Sequence, residues 1–129
     1  MSFLQLRIKR KDTDLLSFPT VITNAASSVT DTSATGNGNV VNAGGSAITE
    51  RGFVWSTSPQ PTTSDNKVTA AGTLGAYTAT LSPLTSGTLY HYRAYAINAI
   101  GTGYGDDVTF TTVSSVSATP MLMILGIGG

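Results

Sequence analysis

Leu84-Thr85-Ser86-Gly87-Thr88-Leu89-Tyr90-His91-Tyr92-Arg93-Ala94-Tyr95-Ala96-Ile97-Asn98-Ala99-Ile100-Gly101 joins a turn, a tyrosine and an alternating strand in one run. A tyrosine placed at the start of a strand, just after a tight turn, can bend its hydroxyl back to a backbone group a few residues upstream. It then locks the corner where the chain passes from one sheet of a β-sandwich to the other. Leu84, Gly87 and Tyr90 have the offsets this corner requires. Strand alternation sends Tyr90 and Tyr92 inward and His91, Arg93 and Tyr95 outward.

The rest of the composition agrees. The chain has 129 residues, the size of one domain with short extensions. Charged residues make up 11%, threonine occurs 21 times and glycine 14 times, and no long window carries apolar residues at helical spacing. Short strands joined by tight turns follow, an all-β chain. The formal net charge is zero, which argues against a domain-wide footprint for nucleic acid. The charge is uneven, however: Arg7, Lys9, Arg10 and Lys11 form one basic run, whereas beyond residue 18 only Arg51, Lys67 and Arg93 face Asp31, Glu50, Asp65, Asp106 and Asp107. Cysteine is absent, so neither a disulfide framework nor a thiolate metal site forms, and stability must come from packing.

Residues 1–18 read as an arm, with Leu4, Leu6 and Ile8 alternating against Gln5, Arg7 and Lys9 in the period of a half-buried strand. The domain proper spans residues 19–113. Its strands are expected at Thr20–Thr23, Ser33–Val41, Ile48–Thr57, Lys67–Ala70, Tyr77–Leu81, Thr88–Asn98 and Asp107–Thr112, seven in all. The second of these alternates Ala34, Gly36, Gly38 and Val40. It offers almost no inward volume, so a bulky residue must fill the space above the glycines, with Trp55, Tyr92 and Tyr77 as the candidates. Gly101-x-Gly103-x-Gly105 is read as a hairpin turn. Residues 114–129 are a tail whose Met121-Leu122-Met123-Ile124-Leu125 run is apolar but far short of the ~20 residues that span a bilayer.

Residues 84–101 resemble the passage between strands E and F of fibronectin type III domains, with Ser86 where that family usually has Pro. Leu84, Gly87, Thr88, Tyr90, Arg93, Ala96, Asn98 and Gly101 remain in register. Thr49-Glu50-Arg51-Gly52-Phe53-Val54-Trp55-Ser56-Thr57-Ser58-Pro59 and Tyr95-Ala96-Ile97-Asn98 followed by Gly101-Thr102-Gly103-Tyr104-Gly105 extend the likeness. They resemble fibronectin type III-like repeats of bacterial surface proteins and phage structural proteins. The resemblance implies a seven-stranded sandwich, and the sequence holds one copy of it rather than the repeat array common in surface proteins.

Candidate chemistry is sparse. His91 is the single histidine and lies mid-strand, where it reads as an exposed strand residue rather than a ligand or a catalytic base. Asp106 and Asp107 are adjacent on a strand and point to opposite faces, a poor clamp for a cation with Asp65. No catalytic residue, metal site or cofactor is expected. If the strands bearing Arg51, Phe53 and Trp55 and bearing Arg93 and Tyr95 are neighbours, one sheet face would combine rings and guanidinium groups, as binding surfaces do. Either that arrangement holds or Phe53 and Trp55 belong to the core; the alternative core pair is Gly52 and Val54.

The two ends carry the functional reading. Leu4, Leu6, Ile8, Arg7 and Lys9 in the arm and Met121, Leu122, Met123, Ile124 and Leu125 in the tail are expected to make assembly contacts, by adding strands to sheet edges. A start with its positive charge after a short apolar stretch is the reverse of a secretory signal. Together with the resemblance, this points to a non-enzymatic virion structural protein, a head decoration or tail component. Its partners would be a homo- or hetero-oligomeric protein lattice and, for the exposed domain, a bacterial surface glycan, with no specific nucleic acid and no membrane span. The alternative is a bacterial cell-surface or extracellular filament module serving adhesion.

Overall fold

The computed structural model describes residues 16–115. They form eight strands and two antiparallel sheets, with no α-helix: β1 (Thr20–Ser27), β2 (Ala34–Asn42), β3 (Glu50–Ser56), β4 (Asn66–Thr69), β5 (Gly75–Leu81), β6 (Leu89–Ile97), β7 (Thr102–Tyr104) and β8 (Val108–Thr111). One sheet has the order β1-β2-β5. The other runs β4-β3-β6-β7, with β8 also on β6. No described helix is long and apolar enough to cross a membrane. The arm residues Leu4, Leu6, Arg7, Ile8 and Lys9 and the tail residues 121–125 lie outside the described part.

Seven strands were expected and eight are found, because the last one is split. Tyr104 pairs with Tyr95 and Val108 with Tyr92, so four steps on one side oppose three on the other. The extra residue is a bulge-like insertion that takes Asp106 and Asp107 off the ladder, while the Gly105 N–H still donates to the Ala94 carbonyl at 2.8 Å. Accordingly Gly101–Gly105 is more than a turn, since β7 lies inside it.

The core lies between the sheets. Val21, Ala34, Val40, Tyr77 and Leu81 enter from the first sheet, and Phe53, Trp55, Tyr90, Tyr92, Ala94 and Ala96 from the second. The space above the β2 glycines is filled by Phe53, which was not among the expected residues. A Cβ on Gly36 would sit 3.1 Å from the Phe53 ring. One on Gly38 would meet the Ala94 Cβ at 2.8 Å, Phe53 at 3.1 Å and Tyr77 at 3.2 Å. Tyr77 thus contributes as expected, and the Tyr92 hydroxyl accepts the N–H of Asn37 between the two glycines. Phe53 also packs against Tyr77 and Tyr92, with ring centroids 4.9 and 5.8 Å away.

Three polar groups cross the core. The Tyr77 hydroxyl donates to the carbonyls of Gly52 and Tyr95 at 2.8 and 3.1 Å. The Tyr92 hydroxyl donates to the Asn24 carbonyl and accepts from the Asn37 N–H. The Ala94 N–H donates to the Thr23 hydroxyl at 2.9 Å. Each ties one sheet to the other's backbone where no disulfide exists.

The corner forms as the sequence indicates. The Tyr90 hydroxyl accepts the Thr85 N–H at 2.9 Å, Gly87 has φ 58°, and Leu84 is buried while its N–H donates to Thr32.

Because the sheets meet so closely at the glycines, Gly38→Val should cost about 1–3 kcal/mol by overpacking, and Gly36→Ala less. Urea unfolding of the two variants checks the order.

Candidate interaction surface

The five residues expected on one aromatic and cationic face are divided by register. Arg51 pairs with Ala96, Phe53 with Ala94 and Trp55 with Tyr92, whereas Arg93 pairs with Val54 and Tyr95 with Gly52. Directly paired residues of antiparallel strands share a face. Arg51, Phe53 and Trp55 therefore turn inward with Ala94 and Ala96, while Arg93 and Tyr95 turn outward with Val54. Phe53 is fully buried, and Trp55 and Arg51 are nearly so; the indole N–H of Trp55 has no partner among the described residues.

Arg51 is buried, and among the described residues no carboxylate pairs with it. Its guanidinium lies 4.5 Å from the Tyr77 ring centroid and donates to the carbonyls of Ala71, Thr73, Leu74 and Gly75. A single planar fork thus fixes the connection from β4 to β5.

Arg93 does the same on the outer face. Its Nε donates to the Pro61 carbonyl at 2.9 Å and its Nη1 to Gln60 Oε1 at 3.0 Å. The guanidinium lies 4.0 Å from the Tyr104 ring centroid, and the Tyr104 hydroxyl accepts the Thr63 N–H. Pro61 is fully buried, so the connection from β3 to β4 folds over this face. Tyr95, although outward, is completely buried, paired with Tyr104 and bonded to Glu50.

His91 is less exposed than its strand position suggests. Its Nδ1 lies 2.8 Å from Asp107 Oδ1, and Asp107 Oδ2 accepts the Gln60 N–H at 2.7 Å. Asp65 accepts the N–H of Thr62 in its own turn. Among the described residues no group of three or more His, Asp or Glu side chains is placed to hold a metal ion.

Glu50 accepts from the Tyr95 hydroxyl at 2.5 Å and from Lys67 at 2.9 Å. These bonds, Tyr95's first, hold its carboxyl below the ordinary carboxylate value. Burial, then the Glu50 contact, pushes the Tyr95 hydroxyl far up. Burial pushes Tyr77 up to about 12 and raises Tyr92 as well.

The first sheet presents a different surface. β1, β2 and β5 contain no charged residue. Their outer face carries Asn24 opposite Asn37 and Thr78, and Ile22 opposite Asn39 and Ala76; Ile22 and Val41 are about half exposed. Sequence reasoning looked for contact residues among the aromatics, whereas the exposed sheet surface is an uncharged array of Thr, Asn and Ala. The absence of Asp, Glu, Lys and Arg from three strands was the available signal.

Arg51→Met keeps the packed stem but strips four carbonyls of their donor, and should cost about 1–3 kcal/mol in urea unfolding. The titrating groups predict opposite pH limits. Glu50, lowered in the fold, stabilises above its unfolded value near 4.5, and that contribution disappears as pH falls through the folded value. Melting temperature should therefore drop on acidification below that point, and drop less in Glu50→Gln. The tyrosines, raised in the fold, stabilise fully below their unfolded value of ~10, and stability should decline as pH climbs above it.

No family model and no curated protein sequence matches this chain. Among solved structures, the sensor domain of the anti-sigma factor RsgI4 in Pseudobacteroides cellulosolvens is similar, with a TM-score of 0.52 at 21% identity, covering 76% of this chain and 97% of that one. A solution structure of the same sensor domain gives 0.50 at 19% identity, over 79% and 83%. A structure described as a myokine gives 0.55 at 15% identity, over 75% and 99%. At these identities the likeness is one of fold.

Proposed function

We propose that the chain is a non-enzymatic assembly protein, a fibronectin type III-like sandwich that serves as a virion structural component of a phage head or tail and is joined to its lattice by its terminal segments. The strand order supports the sandwich: β1-β2-β5 against β3-β6-β7/β8 corresponds to strands A, B and E facing C, F and G, with β4 as an added edge beside C. The Tyr90 bond to Thr85 supplies the corner of that family.

The observation that carries an assembly role is how the polar side chains are used. Arg51, Arg93, His91, Asp107, Glu50 and Lys67 all bond within the domain, so these groups build architecture. Contact surface is left to the uncharged first sheet and to the apolar sequences at both ends. The virion role itself rests on the sequence resemblance, and head and tail components share this chemistry. The second reading, a bacterial surface or filament module, is favoured by residues 49–59 and 95–105, which resemble repeats of bacterial surface proteins.

Light scattering of the purified full chain, beside the chain lacking residues 116–129, tests the assembly role. A large species that falls on truncation to a single copy, lighter than the 13.3 kDa of the full chain, supports it. A folded monomer in both cases removes self-assembly through the tail.

A further inference from the structure

Sheet edges expose ordered, unpaired backbone, and edges that are long, flat and uncharged invite pairing. The edges of this domain are unequal. β4 has four residues and carries Lys67, paired with Glu50. β1 has register shifts at two points, and its backbone at Pro19 and Thr23 crowds Gly103 and Gly105, so β7 and the residues after it lie against that side. β7 and β8 are short and offset by the extra residue between them. β5 is different. Its ladder with β2 is regular from Ala34 and Leu81 to Val40 and Gly75. It has seven residues without charge or proline, and no described strand pairs with its other side. Ala76, Thr78 and Thr80 are exposed and small enough for another backbone to approach.

We infer that the free edge of β5 accepts residues Leu4–Lys9 of a neighbouring copy as an added strand. The inference rests on the assembly reading above. Leu4-Gln5-Leu6-Arg7-Ile8-Lys9 alternates at strand period, so Leu4, Leu6 and Ile8 would continue the inward side of Tyr77, Ala79 and Leu81, and Gln5, Arg7 and Lys9 the outward side of Ala76, Thr78 and Thr80. Six residues extend ~20 Å, about the length of β5.

The assembly reading makes the acceptor a neighbour, and the place where the arm leaves the body sets the geometry of that contact. The Ser17 N–H donates to the Gly44 carbonyl, the Ser17 carbonyl accepts from Asn98 Nδ2, and Phe18 lies over Gly101. The arm therefore departs beside β1 and the turn from β6 to β7, whereas β5 is the opposite edge of its sheet. Residues 10–15 add ~20 Å of reach. A donor at one edge and an acceptor at the other make a head-to-tail contact, which repeats from copy to copy until it closes a ring or continues as a filament.

The chain has no cysteine, so introduced thiols report without competition. Full-length Arg7→Cys chains are mixed with full-length Thr78→Cys chains and oxidised, with Gln5→Cys and Lys9→Cys covering the register. The expected result is a disulfide-linked pair formed about ten-fold faster than between Arg7→Cys and Lys67→Cys chains, because the arm is held at high effective concentration over β5. In the chain carrying both Arg7→Cys and Thr78→Cys, links between copies support the inference, and links confined to one copy overturn it. Light scattering of the unmodified chain separates the two readings. A large assembly with no linkage to Thr78 from any arm position overturns the β5 acceptor and leaves the assembly role standing; a monomer without linkage overturns the β5 acceptor and self-assembly together.

Discussion

The Phe53 ring resting on the bare backbone of Gly36 and Gly38 sets the separation of the two sheets, and the rest of the interior depends on it. Sheets packed through ordinary side chains stand about 10 Å apart. Here one sheet contributes almost no volume at the contact, and the other supplies a whole ring. This close approach accompanies the three bonds between sheets. The Tyr77 hydroxyl reaches Gly52 and Tyr95, the Tyr92 hydroxyl reaches Asn24, and Ala94 reaches Thr23. In a chain without cysteine these bonds and the aromatic cluster hold the layers in register.

The two arginines of the body follow a second pattern. Arg51 on the inner side and Arg93 on the outer side each direct a guanidinium at main-chain carbonyls of a connection, 71–75 for one and Pro61 for the other. Each also lies over a tyrosine ring. Arginine suits this work because its donors are fixed in a plane and it remains charged when partly dehydrated. The irregular segments around β4 are therefore held from both faces of one sheet.

The fold was legible in the sequence where a residue pattern had a single physical solution. The offsets of Leu84, Gly87 and Tyr90 defined a corner, and the alternation of Tyr90 and Tyr92 against His91 and Arg93 defined the faces of β6. The strand bearing Phe53 was harder, because both of its faces are buried: Gly52, Phe53, Val54 and Trp55 are all inaccessible. Alternation cannot distinguish inside from outside when the outer face is covered by a connection. Pro61 folds back onto Arg93 and the β4 backbone closes over Gly52, and nothing local to β3 announces either. Likewise the extra residue at Gly105–Asp107 emerges only from the register of β7 and β8 on β6. The surface was read least well, because aromatic and cationic residues attract attention and an absence of charge does not.

Asn98 holds three parts of one pole together. Its amide donates to Ser17 and Ala43 and accepts from Ile100 and Gly101. A mechanical consequence follows. Tension applied to the chain ahead of Ser17 reaches this buried side chain and the Gly44 carbonyl before it reaches β1. Asn98 and Gly44 therefore share the load of the chain end with the first rungs between β1 and β2.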